Sequence, residues 1–131
     1  MKLEQLEDST RVLLEDVVVT VDNHIITAIT GFNFDGASIP KPFWSIIGSP
    51  YTGKYQVAAL IHDLLYATEY FDRKTCDDIF LFLMKEYGVG YLKRYAMYWA
   101  VRAGGRFVWN KHKPEDVNIA RMYIDVKEIN C

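Results

Sequence analysis

YQVAALIHDLLYATEYF, residues 55–71, is where the chain changes its period. Val57, Leu60, Ile61, Leu64 and Leu65 recur at helical spacing and predict a helix of about four turns. His62 and Asp63 sit in the middle of this otherwise apolar segment. Tyr66 follows His62 by four residues, so imidazole and phenol share one face. Asp63 points about 100° further round. Ala58 and Ala59, one turn earlier, leave room for another backbone or a ligand to come close.

Upstream the pattern is that of strands. Residues 11–32, RVLLEDVVVTVDNHIITAITGF, are rich in β-branched side chains. The apolar runs Val17–Val21 and Ile25–Thr30 flank Asp22-Asn23-His24, a hairpin signal with a polar turn and an exposed His24. Residues 1–10, MKLEQLEDST, read as loosely helical or as a flexible tail. Downstream, Asp72 caps a second helix, RKTCDDIFLFLMKEYG, which stops at Gly88. A third helix starts near Gly90 and is closed by Gly104-Gly105. Its Tyr91, Tyr95, Tyr98 and Trp99 read as core and helix contacts. Pro114 interrupts residues 106–131, and Ala120–Ile129 suits a strand or a short helix. The expected fold class is α+β: an N-terminal β-hairpin or small antiparallel sheet followed by a bundle of three helices. The 131 residues suffice for a single domain.

Half of the residues are hydrophobic and 15% are aromatic, which predicts a packed globule. A net charge of -2 gives no broad basic field and argues against nucleic acid as main partner. No secretory leader and no apolar run of membrane-spanning length is seen, so a soluble protein made in the cytoplasm is expected. Cys76 reads as a small core residue and Cys131 as a terminal thiol. Zinc wants three or four Cys, His or carboxylate ligands, and three widely spaced histidines do not supply them. An oxygen-ligand cation, Ca²⁺ or Mg²⁺, is better suited to Asp35, Asp63 and a backbone carbonyl.

The chemistry centres on His62. If the first two helices pack together, Asp77 or Asp78 reaches His62 or Tyr66, and a carboxylate on one imidazole nitrogen makes the other a better base or ligand. Arg73 shares a face with Asp77. Arg102, late in the third helix, can pair with Asp63 or Asp77. The loop GFNFDGASIPKPFW, residues 31–44, should pack over the first half of the helix and bring Asp35 or Ser38 near His62. Gly31 and Gly36 allow unusual backbone angles there. As a general base, His62 needs at least one nitrogen free and facing a solvent-reachable cleft; with both nitrogens buried and bonded, the enzyme reading with His62 as base fails. Against this stands a structural reading, in which the same groups only tie the helices together. Arg106 and Lys111 read as a solvated turn; with His112 and Lys113, near Trp109, they form a small basic cluster that could touch phosphate groups, although four cations in an acidic chain are weak evidence.

Four motifs resemble a family of short phage and prophage proteins of unknown function. They are Gly31-Phe32-x-x-Asp35-x-Ala37-Ser38-x-Pro40, Ala59-x-x-His62-Asp63-x-Leu65-Tyr66, Arg73-x-x-x-Asp77-x-Ile79-Phe80 and Met97-Tyr98-x-Ala100-Val101-Arg102. The resemblance runs from about Val12 to Trp109 and implies a phage origin, a bacterial host cytoplasm as place of synthesis, and no named activity. A narrower likeness links His62-Asp63-x-x-Tyr66, with Asp77 on the next helix, to the phospholipase A2 core. It implies His62 as base on water, Asp63 as calcium ligand, and Tyr66 and Asp77 as supports. Tyr51–Tyr55 stands where that family has a glycine-rich calcium loop, but it lacks the second glycine and carries Lys54. Leu65 stands where that family has a half-cystine.

Three functions remain in view, and whether the protein is an enzyme is left open. One is a small hydrolase acting on a host-envelope ester or amide, with Asp63, Asp77, Tyr66 and Asp35 assisting His62. The second is a non-catalytic virion- or tail-associated protein partnered by other virion proteins. The third is a phage protein that binds a host factor.

Overall fold

A computed structural model of the chain describes residues 2–5, 10–36, 38–39 and 55–129. Strands β1 (Leu3–Gln5), β2 (Arg11–Leu13), β3 (Val17–Val21), β4 (His24–Ala28) and β5 (Asn33–Phe34) come first. Helices α1 (Gln56–Thr68), α2 (Arg73–Glu86), α3 (Tyr91–Trp109) and α4 (Pro114–Ala120) follow, then a 3-10 turn at Arg121–Tyr123 and strand β6 (Ile124–Glu128). The fold is an α+β mix with small antiparallel sheets at the N-terminal side. Ala37, Pro40, Pro42, the Tyr51–Lys54 segment and Cys131 lie outside the described residues.

The hairpin forms as its sequence dictates. Val19 pairs with Ile26 and Val17 with Ala28, while Asp22 turns the chain at a φ of 52°. Period-2 alternation buries Val19, Val21, Ile26 and Ala28 and leaves Val18 in solvent. β6 then pairs along the other side of β4, with Val126 opposite Ile26, to give the order β3-β4-β6. The Ala120–Ile129 stretch is therefore a strand over half its length, Ile124–Glu128, after the end of α4 and the 3-10 turn. Its partner lies about a hundred residues earlier in the chain, beyond the reach of local pattern. Residues 3–5, read as helix or tail, are strand too: Leu3 pairs with Leu13, and β2 also pairs with β5. His24 lies in β4 rather than in the turn. It is half-buried, edge-on to Phe71 at 5.7 Å and 3.6 Å from the Glu128 carboxylate.

α2 packs between α1 and α3. The side chain of Asp72 caps α2 by accepting the Thr75 N–H at 3.2 Å. α1 ends at Glu69, which takes a left-handed conformation. The core gathers the inward faces of the strands with Leu60, Ile61, Leu64, Leu65, Phe80 and Met84, and Cys76 is buried as expected.

Two expectations for α3 are corrected. Gly104-Gly105 does not stop it, and the helix runs on to Trp109. A Cβ on Gly105 would collide with the Tyr66 hydroxyl and approach Tyr66 Cζ to 3.1 Å, so the glycine is a helix contact. The α3 aromatics are not core: Tyr91 is 65% and Trp99 64% exposed. Tyr98 instead donates a 2.7 Å hydrogen bond to Asp78 Oδ1.

Candidate functional site

His62 is fully buried on α1, with its ring between Tyr66 at 4.3 Å and Phe80 at 4.5 Å. His62 Nε2 lies 2.7 Å from Asp77 Oδ1, and Tyr66 Oη donates to that same oxygen at 2.7 Å. The other carboxylate oxygen of Asp77 accepts from Arg102 at 2.8 Å and from Arg73 at 3.4 Å. Arg73 also donates to the Val101 carbonyl at 3.1 Å, which ties α2 to α3. Polar side chains from all three helices thus converge on Asp77. Asp78 takes no part; it pairs with Lys74 at 2.8 Å on the exposed side.

The electrostatics assign the protons. Burial alone would raise the Asp77 carboxyl, yet bonds from His62, Tyr66 and Arg102 outweigh it and hold the group below its ordinary value. Burial lowers His62, against the pull of Asp77 and with help from Arg73. The pair is therefore ionised Asp77 and neutral His62. The imidazole N–H is on Nε2, facing Asp77, and Nδ1 carries a lone pair. Burial also pushes the Tyr66 phenol up, so it stays a donor.

The lone pair meets Ser38, whose Oγ is 2.9 Å from His62 Nδ1. Ser38 therefore donates to His62, completing a Ser38–His62–Asp77 relay. The loop from β5 delivers it. Gly31 and Gly36 sit at φ of 100° and 68°, conformations that favour glycine, and the Gly36 carbonyl accepts Ile39 N–H at 3.1 Å. Ser38 N–H donates to Asp63 Oδ1 at 3.2 Å, which pins the loop to α1. The expected free nitrogen on His62 is not present: both are bonded, and the ring does not reach solvent.

Asp63 is 5% exposed and shares a hydrogen bond with Asp35. Burial first, then repulsion by Asp35, raises the Asp63 carboxyl well above its ordinary value; the Ser38 bonds only partly offset this. Two carboxyls that share a proton form a place where a hard cation can replace that proton. The donor set is oxygen only and fits Ca²⁺ or Mg²⁺ better than zinc. Among the described residues no group of three or more His, Cys, Asp or Glu could hold a metal. Further ligands would have to be backbone oxygens.

Asp35, Ser38, Asp63 and Tyr66 open onto a cavity of about 440 Å³. Val108, Lys111 and His112 line it too, as do Phe32 and Asn33. The basic cluster near Trp109 is thus not only a solvated turn. His112 Nδ1 lies 3.1 Å from Glu69 Oε2, and Trp109 packs edge-on to Tyr66 at 5.2 Å. In the sequence Lys111 and His112 stand out only as part of a basic cluster; their place at the cavity comes from tertiary contact, His112 with Glu69. Arg73 and Arg102 act on Asp77 from outside the cavity.

The family model described as "Protein of unknown function (DUF1353)" matches residues 11–101. The chain is also 46% identical over 79 residues to the uncharacterized protein y4jT of Sinorhizobium fredii (strain NBRC 101917 / NGR234). That alignment takes in 58% of this chain and 23% of y4jT, so the chain spans less than a quarter of that relative. No solved structure matches. With residues 11–101 of 131 matched, the chain belongs to the DUF1353 family of proteins of unknown function.

Proposed function

We propose that this protein is a small hydrolase of an ester or amide, a host-envelope component being the target class suggested by the phage resemblance. One observation carries the reading: the hydroxyl of Ser38, a residue that lines the cavity and is itself 1% exposed, is 2.9 Å from the lone-pair nitrogen of a histidine held by a buried carboxylate. A hydroxyl, an imidazole and a carboxylate in series make an activated nucleophile. Ser38 Oγ attacks the carbonyl carbon while its proton passes to His62 Nδ1. Asp77 orients the imidazole and stabilises the imidazolium. Tyr66, Arg73 and Arg102 hold Asp77 ionised. The protonated imidazole then gives its proton to the leaving group, and water releases the acyl group from Ser38. Asp63 and Asp35 would hold a divalent cation, which when bound supplies polarisation of the carbonyl oxygen. His62 thus acts on Ser38 rather than directly on water.

A second reading is favoured by the same burial. His62 has both nitrogens satisfied, and no buried side-chain polar atom among the described residues lacks a partner. Such a network stabilises a fold without chemistry, as a virion component or a binder of a host factor requires. The experiment compares wild type, Ser38→Ala and His62→Ala on ester and amide substrates, with and without Ca²⁺ or Mg²⁺. A fluorophosphonate probe is tested on the same proteins. Labelling of Ser38 that His62→Ala abolishes supports the hydrolase. Turnover that survives Ser38→Ala but not His62→Ala shows that water is the nucleophile. Absence of labelling and turnover in folded wild-type protein leaves the network as structural.

A further inference from the structure

Helix α3 carries an outward face that nothing among the described residues covers. Leu92 is 82% exposed, Trp99 64% and Phe107 59%, with Tyr91 at 65% beside them. At 100° per residue, Leu92, Trp99, Ala103 and Phe107 fall within one stripe along about four turns. Exposed apolar residues scattered singly mean little, whereas a contiguous stripe on a helix marks a contact surface.

The charges of this segment have one sign in sequence, with Asp78 of α2 facing it at Tyr98. From Tyr91 to Lys113 the chain holds Lys93, Arg94, Arg102, Arg106, Lys111 and Lys113 and no Asp or Glu. In a chain of net charge -2, this is a strong segregation. Arg102 is engaged with Asp77, but the others are not drawn into the core. Arg94 lies over the rings of Tyr91 and Tyr95 at 5.3 and 5.7 Å, and Arg106 over Phe107 at 5.0 Å. At 100° per residue Arg106 falls within the stripe and Lys93 on its flank, whereas Arg94 lies on the opposite side and donates to the Val89 carbonyl at 3.2 Å.

We propose that this face of α3 docks on an anionic lipid surface. A helix with Leu, Trp and Phe on one stripe and flanking Lys and Arg matches the boundary between headgroups and acyl chains. There the cations meet lipid phosphates, while Trp and Tyr place their rings at headgroup depth. The α3 helix does not cross the bilayer; among the described residues no helix is long and apolar enough to do so. A nucleic acid would use the cations but gain nothing from Leu92. The proposal does not need the relay to be catalytic. The helix end nevertheless borders the cavity through Val108 and Lys111, so whatever the face holds lies next to Ser38 and Asp63.

The test is co-sedimentation with vesicles of phosphatidylcholine alone and of phosphatidylcholine with 30 mol% phosphatidylglycerol. Partitioning at low salt is expected to be at least about tenfold stronger on the anionic vesicles, given the attraction gained per basic residue, and to fall as salt rises. Leu92→Ser with Trp99→Ser should remove most of it, with unchanged circular dichroism and melting temperature because both side chains are exposed. Size-exclusion with light scattering runs alongside. Equal partitioning on both vesicles, no partitioning, or binding that the double variant retains would overturn the proposal. So would a dimer that the double variant splits and that shows no affinity for vesicles, since a second copy would then be the occupant.

Discussion

Tyr66 Oη and His62 Nε2 bond to a single oxygen of Asp77, each at 2.7 Å, and the Asp77 carboxylate is fully buried. That sharing makes Asp77 the hub of the site. It pairs with two arginines, orients the imidazole and fixes the phenol.

Replacing the hub should therefore cost more than replacing any spoke. Asp77→Asn keeps the shape but leaves Arg73 and Arg102 without a counter-charge and removes the preference for the Nε2–H tautomer. A loss of about 3 kcal/mol is expected in chemical denaturation, against about 1 kcal/mol for Tyr66→Phe, which removes one hydrogen bond. Equal losses for the two variants would show that Asp77 is not the centre of the network.

Burial lowers His62, so the native state holds it neutral while the unfolded chain protonates it near its ordinary value. Between the lowered value and about 6.5 the unfolded state binds more protons, so stability rises with pH there and this contribution levels off above. Melting temperatures measured from pH 5 to 8 should show that slope, and His62→Gln should lose it. Nuclear magnetic resonance of the His62 ring should show no titration at its ordinary value.

Asp63 has the opposite sign. Its carboxyl is raised, so the native state holds a proton that the unfolded chain releases near its ordinary value. Stability from this group is present at low pH and is lost as pH climbs toward the raised value. Asp63→Asn should remove that loss and raise stability at neutral pH by about 1 kcal/mol in chelated buffer. Millimolar Ca²⁺ should raise the melting temperature of wild type and not of Asp63→Asn. A Ca²⁺ response that survives the substitution would place the cation elsewhere.

Gly105→Ala reads out the contact between α1 and α3. In an exposed helix this change stabilises by about 1 kcal/mol. Here the added methyl meets the Tyr66 hydroxyl, and the expected result is a loss of about 1–3 kcal/mol. Combined with Tyr66→Phe, which removes that oxygen, the two losses should sum to less than their separate total. Strict additivity would mean that the helix tolerates the methyl by moving.

The local terms were legible in the chain itself. Alternation over residues 17–28 determined the hairpin, helical spacing determined the helix through His62-Asp63, and Asp72 marked the start of the next helix. Each of these depends on neighbours a few residues apart, where propensity and capping act. The pairing of His62 with Asp77 was also foreseeable, because short connections force adjacent helices together. Tertiary structure alone decided the rest. It brought β6 to β4, set Gly105 against Tyr66 rather than at a helix end, and turned the α3 aromatics outward. It also put Ser38 on the nitrogen of His62 that was expected to be free, and Lys111 and His112 at the same cavity as Asp63. All of these depend on how distant segments register against one another, and the energy that selects that register comes from packing a shared core, which no short stretch of sequence contains.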